Sequence, residues 1–191
     1  MNGFFYWEYD QAADCLMLCS DATQRKIRTA LKGEMLCQQA LSRCDCETED
    51  FLFYSQIIDL IEYSDLITPS QLEFIAYTAV AARLFLLPIQ PKSWFFEFAP
   101  HSQPQNQSAE SDWLNDMPAF VQTTIKQNQQ PITLLAVGGD GDVVDCLLLE
   151  AQLELPGLRL QFGQPLRIFN NRLQPSAIAV QSERLWQQQY A

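Results

Sequence analysis

The chain has 191 residues, of which 48% are hydrophobic, and it sets 12 Lys and Arg against 23 Asp and Glu for a formal net charge of −11. That apolar content is enough for one large domain or two small ones with cores of their own, and it excludes a wholly disordered chain. The acidic balance excludes nucleic acid as the main partner, because most of the surface would repel phosphate.

The opening stretch MNGFFYWEYDQAADCLML carries acids early and lacks a basic segment followed by an unbroken apolar run, so no secretory signal is expected. The longest apolar window, residues 74–89, is interrupted by Arg83 and is too short to span a bilayer. The expectation is a cytoplasmic protein with no membrane association. Without export, Cys15, Cys19, Cys37, Cys44, Cys46 and Cys146 read as reduced thiols. The first five are separated by three, seventeen, six and one residues, with neither a CxxC nor a histidine pair, so no metal site is expected.

FFYWEYD and CLMLCS are rich in strand formers and are joined by a short polar link, which predicts an antiparallel hairpin. TQRKIRTALKG follows, with Arg25, Lys26, Arg28 and Lys32 as the densest positive run; it reads as a solvated face or as a contact surface. After the acidic break SRCDCETED, the segment FLFYSQIIDLIEYSDL predicts a strand running into a short helix. The next element is the best defined. Thr68 suits the N-cap, Pro69 the first helical position and Gln71 the third, as in a capping box. Leu72, Ile75, Ala76, Ala79, Val80, Arg83 and Leu87 then recur at spacings of three and four, predicting a helix over about 69–87 that Pro88 ends.

Beyond Pro91 the pattern turns to strands. WFFEF suits an extended, half-buried segment, and a polar loop is expected over about 99–111. PITLLAV and VVDCLLLEAQL flank the turn-rich GGDGD, while LRLQF and PLRIF alternate in the manner of strands. The fold class read from this is α+β, with a mixed N-terminal domain over residues 1–90 and a mostly β domain over 91–191 that forms a small barrel or sandwich.

Catalytic chemistry finds no foothold in this sequence. His101 is the sole histidine and falls in the polar loop, where no nucleophile–base pair can be built around it. GGDGD would need an acid at position 143 to resemble a calcium loop, but Val143 stands there, and a hairpin turn accounts for it. Neighbouring acids such as Asp140 and Asp142 have nothing to separate their pKa values. No catalytic residue and no cofactor are expected. Charge distribution carries more information. From Pro156 onward, Arg159, Arg167, Arg172 and Arg184 face the single acid Glu183, giving +3 within an acidic protein. Arg159 and Arg167 alternate with Leu158, Leu160, Leu166 and Ile168, a composition that suits either outward strand faces or a protein-binding patch.

PKSWFF at 91–96 and GQPLRIFNNRLQP at 163–175 resemble the corresponding segments of the ZapC family of Z-ring-associated cell-division proteins. The start is similar too, in Trp7, Tyr9, Asp10, Asp14, Leu16, Met17 and Leu18, and so is VAARLFLLPIQPKSW before and through the Pro-Lys-Ser-Trp word. The family pattern has a lysine before the proline at the helix end, where Leu87 stands in this chain. The resemblance implies a monomer with an N-terminal α/β domain and a C-terminal twisted β-barrel-like domain. It implies a non-enzymatic cytoplasmic protein at the mid-cell Z-ring that binds FtsZ, bundles its protofilaments and slows its GTP turnover. The residues expected to meet the partner are Lys92 between Pro88 and Pro91, at the junction of the domains, with Trp94 anchoring the start of the barrel, and Arg159, Arg167, Asn170 and Arg172. Leu16 and Leu18 are expected on a second surface, with core packing as their alternative. The competing readings are a small-molecule-binding or enzymatic β-barrel module, which predicts a deep polar pocket, and a cysteine-based metal or redox protein.

Overall fold

A computed structural model describes residues 5–62, 64, 66–100 and 118–176. His101, most of the expected polar loop, Glu183 and Arg184 lie outside the described residues. The chain divides into two compact units: Met1–Ile89 with Gly163–Pro165, and Gln90–Phe162 with Leu166–Ala191.

The first unit begins with the predicted hairpin, β1 (Phe5–Asp10) and β2 (Cys15–Ser20), paired antiparallel from Phe5 opposite Ser20 to Asp10 opposite Cys15. Asp14 turns the chain between them at a φ of 46°, and its carboxylate accepts from the Tyr9 hydroxyl at 2.7 Å and the Gly33 N–H at 3.0 Å. That side-chain bonding offsets the strain of a left-handed non-glycine residue. With β3 (Lys26–Arg28) and β4 (Cys44–Asp45) the sheet order is β3-β2-β1-β4, all pairs antiparallel. Every residue of β2 is buried. Leu16 and Leu18 are 0% and 2% exposed, while Cys15, Met17 and Cys19 form a small cluster with Tyr6 and Ala13.

Two helices complete this unit. Residues 48–62 form one continuous helix, α1 (Thr48–Glu62), and not the expected strand running into a helix. The run of Phe, Tyr and Ile favours a strand locally, but Phe53, Ile57 and Ile61 recur every four residues and are all buried, and burial of that stripe outweighs propensity. The Asp50 carboxylate accepts from the Glu47 N–H at 2.9 Å, satisfying a donor at the helix start. α2 (Pro69–Phe85) has the predicted capping residues: the Gln71 side-chain oxygen accepts from the Thr68 N–H at 3.1 Å and from its hydroxyl at 2.8 Å. The helix stops two residues before Leu87. There Cys37 N–H donates to the Phe85 carbonyl and Leu87 N–H to the Met35 carbonyl, both at 2.9 Å, so a short extended pairing takes over. No helix among the described residues is long and apolar enough to cross a membrane.

The second unit contains β5 (Ala119–Thr124), β6 (Pro131–Asp140), β7 (Val143–Leu148), β8 (Gln152–Leu155), β9 (Leu158–Gln161), β10 (Pro165–Phe169) from Leu166 onward, and β11 (Gln174–Pro175). They form a five-stranded sheet of order β10-β7-β6-β5-β11 and a separate β8-β9 ribbon. GGDGD is the hairpin turn of β6 and β7: Asp140 lies opposite Val143, and Gly141 supplies the φ of +58°. The core joins Phe96, Leu134, Cys146 and Leu148 with Leu153, Leu155 and Leu160 of the ribbon. With its periphery at β10 and β11, the sheet is open among the described residues, and the molecule is mixed α+β.

WFFEF is not an extended strand. Ser93–Phe95 form one 3-10 turn, and only Phe96 makes a bridge, to Ile125. The cause lies far along the chain: the Phe169 N–H donates to Ser93 Oγ at 2.7 Å, which fixes the turn against β10.

Candidate functional site

The segment from Lys92 to Ala99 is held along both sides within the second unit. On one side Lys92 N–H donates to the Arg167 carbonyl at 2.8 Å, Ala99 N–H to the Asn171 carbonyl at 2.9 Å, and Arg172 Nη1 to the Phe96 carbonyl at 2.9 Å. On the other, Glu97 N–H donates to the Thr124 carbonyl and Lys126 N–H to the Phe95 carbonyl, both at 2.9 Å. So anchored, the segment buries Ser93 and Phe96 and turns Trp94 and Phe98 outward, at 50% and 59% exposure. Phe169, at the end of the neighbouring β10, is 41% exposed. Exposed aromatics on a segment this well tied cannot fold inward without breaking its backbone bonds.

Cations accompany the rings. Lys92 Nζ lies 5.2 Å from the Trp94 ring centroid, and the Arg172 guanidinium carbon lies 3.3 Å from that of Phe98. Both distances fall within cation–π range. Lys92, Arg172 and Lys126 make no ion pair among the described residues. Arg172 Nε is closed off from solvent with no acceptor. Burial pushes the Arg172 pKa down against the opposing charge of Glu97, yet a guanidinium stays protonated at any physiological pH. The outcome is a strip in which Lys92 and Arg172 are held over aromatic faces, with Lys126 tied beside the segment through its backbone.

The remaining expected contacts are placed differently. Arg167 spends its fork on Asp145, with Nε at 2.8 Å and Nη2 at 3.1 Å, and both side chains are largely buried. It therefore acts as an internal tie beneath the strip. Arg159 pairs with Glu154 at 3.1 Å across the β8-β9 ribbon. Asn170 opens the 3-10 turn Asn170–Arg172 and donates its N–H to the Asp142 carbonyl at 2.8 Å, which positions Arg172. Trp94 is not the buried anchor; Phe96, at 0% exposure, fills that place. Leu16 and Leu18, on a strand buried along its whole length, are core residues of the first unit and offer no surface.

Phe98, Phe169 and Lys126 escaped the reading of the sequence. The contacts that gather them, Lys126 with Phe95, Phe98 with Arg172 and Phe169 with Ser93, join distant parts of the chain; the one available local signal is that PLRIF alternates and leaves Phe169 on the outward phase.

The groups required by the competing readings are also placed. In the first unit a cavity of about 220 Å³ is lined by Asp45, Glu47, Glu49, Phe53, Arg83 and Leu84, with Arg83 lying 4.2 Å over the Phe53 ring. Two of its acids, Glu49 and Asp50, sit in the first turn of α1, where they stabilise the helix start. All six cysteines are free thiols. Burial raises the pKa of Cys15 and Cys19, pushes Cys46 up to about 12 and raises Cys146 further, which leaves these four protonated and unreactive at neutral pH.

Residues 88–179 match the family model described as cell-division protein ZapC, C-terminal. A protein named cell division protein ZapC from Proteus mirabilis is 29% identical over 87% of this chain and 85% of its own length. One from Vibrio vulnificus is 27% identical over 90% and 88%. One from Aliivibrio salmonicida reaches 35% over 48% of this chain and 50% of its own length.

Proposed function

We propose that this chain, which resembles the cell-division protein ZapC along most of its length, is a non-enzymatic cytoplasmic adaptor that binds FtsZ at the mid-cell Z-ring. As a monomer with two contact surfaces it promotes lateral association of FtsZ protofilaments and slows their GTP turnover. The observation that carries this reading is the set of cations without ion pairs among the described residues, Lys92 on the tied segment and Lys126 and Arg172 on the elements that hold it, in an otherwise acidic protein. An acidic patch on a partner finds its complement there, and the ordering of both cation–π pairs before binding lowers the entropic cost of docking.

Bridging two filaments needs a second surface, and weak contacts repeated along a polymer then add through effective concentration. With Leu16 and Leu18 buried, that surface falls to Arg28 and Lys32, which are exposed and make no ion pair among the described residues. Co-sedimentation with FtsZ in GTP and in GDP, at two salt concentrations, tests the proposal. Pelleting with assembled filaments alone, accompanied by thicker bundles, is the expected result; a protein that stays in the supernatant under all conditions contradicts it.

A further inference from the structure

The cavity of the first unit has no part in the adaptor reading, yet charged groups of both signs line it without neutralising one another. Its space of about 220 Å³ lies where the first turn of α1, the last turns of α2 and β4 meet. Asp50 is only 8% exposed; its Oδ2 accepts from the Glu47 N–H at 2.9 Å, and its Oδ1 has no hydrogen-bond partner among the described residues. A buried carboxylate oxygen without a donor is costly, and a bound donor relieves that cost. Arg83 lines the same cavity from α2 and makes no ion pair among the described residues, with Asp50 or with any other acid. Its guanidinium carbon lies 4.2 Å from the centroid of the Phe53 ring. A guanidinium so placed keeps its N–H fork for a carboxylate, because the donors radiate in its own plane. Between these charges the lining is apolar, with Val80 and Phe85 buried and Leu84 half-exposed.

These groups narrow the occupant by elimination. No group of three or more His, Cys, Asp or Glu side chains among the described residues is arranged to hold a metal ion. A simple organic cation would be repelled by Arg83, and a simple anion by Asp50 and by Glu47 and Glu49 on the same lining. A zwitterion meets both signs at once. The space falls below the roughly 300 Å³ at which drug-sized sites begin, so the molecule is a small one. We infer that this cavity is a binding site for a small aliphatic amino acid, its ammonium donating to Asp50, its carboxylate accepting from Arg83 and its side chain lying against Leu84 and Phe85. Asp50 then serves twice, with Oδ2 at the start of α1 and Oδ1 toward the ligand. The site is separate from the strip of the second unit and stands or falls without the adaptor reading.

The test is isothermal titration calorimetry of the full chain at pH 7. The probes are L-alanine, L-valine and L-leucine, with L-leucinamide, which lacks the carboxylate, and N-acetyl-L-leucine, which lacks the ammonium. At least one of the three amino acids is expected to bind, and both blocked leucines to bind at least about tenfold more weakly than leucine or not at all. Arg83→Gln and Asp50→Asn are each expected to weaken binding of the preferred amino acid by about tenfold or more, while Arg83→Lys, which keeps the charge, retains part of it. Arg83 is exposed, and asparagine keeps an acceptor for the Glu47 N–H, so the urea unfolding midpoints stay near the wild-type value. If Asp50→Asn nevertheless unfolds, Arg83→Gln decides alone. The inference is overturned if none of the three amino acids binds, if the blocked leucines bind as well as leucine, or if a folded Arg83→Gln keeps wild-type affinity.

Discussion

Two positively charged regions of this molecule look alike in sequence and differ in state. In the first unit, Arg25 is 2.6 Å from Glu73, Lys26 is 3.5 Å from Glu8, and Arg43 is 2.8 Å from Asp21. In the second unit Lys92 and Arg172 face aromatic rings and have no carboxylate within ion-pair distance among the described residues. Two of the four cations of the denser run, Arg25 and Lys26, are thus neutralised, while Lys92 and Arg172 of the sparser region keep their charge. Density of lysine and arginine is a poor guide to a binding surface; what matters is whether the fold has already supplied the counter-ion.

The comparison is broken most severely by reversing a free cation. Arg172→Asp is expected to weaken FtsZ binding by about 10- to 100-fold, because the partner acid would then meet a like charge, and to lower the unfolding midpoint as well, because the bond to the Phe96 carbonyl is lost. Wild-type sedimentation of this variant would remove the strip from the contact. Next comes the paired cation of the same unit. Arg167→Ala leaves Asp145 largely buried without its partner and is expected to lower stability by about 2 kcal/mol in urea unfolding. Replacing both, as Arg167→Met with Asp145→Leu, should recover most of that stability and preserve binding; loss of binding in a stable double variant would show that Arg167 touches the partner after all.

Acid sharpens the contrast by releasing the paired cations. The hydrogen bond from Arg43 holds the Asp21 pKa below its ordinary value, and the bond from the Tyr9 hydroxyl does the same for Asp14. Both carboxylates therefore add stability above their unfolded pKa of about 4 and lose it as pH falls through their lower folded values. Thermal unfolding of wild type should decline below about pH 4, and the gap between wild type and Asp14→Asn, wide at pH 7, should close toward pH 2. A gap that stays constant with pH would show that the Asp14 charge contributes nothing. The smallest effect belongs to the exposed pair: Arg25→Ala should change stability by about 0.5 kcal/mol or less and leave partner binding at the wild-type level.

Much of the fold was legible because its signals are local. The Thr68-Pro69-Gln71 cap, the β1–β2 hairpin and the Gly141 turn each follow from residues within a few positions of one another. The misreadings arose where distant contacts decide. Phe51 to Ile58 favour a strand until Phe53, Ile57 and Ile61 find a common buried face, and Ser93 holds a turn because Phe169, 76 residues away, donates to it. The site was half legible for the same reason. Lys92 and Arg172 stood out by type in the sequence, but that Arg167 is neutralised by Asp145, that Phe96 and not Trp94 is the buried anchor, and that Lys126 and Phe169 border the same segment are consequences of tertiary packing.

The most direct test sets the two charged regions against each other in one assay. Lys92→Asp with Arg172→Asp and, separately, Arg25→Asp with Lys26→Asp are each mixed with FtsZ and GTP and sedimented. The account predicts that the first double variant stays in the supernatant while the second pellets like wild type; retention of the first with loss of the second would contradict it.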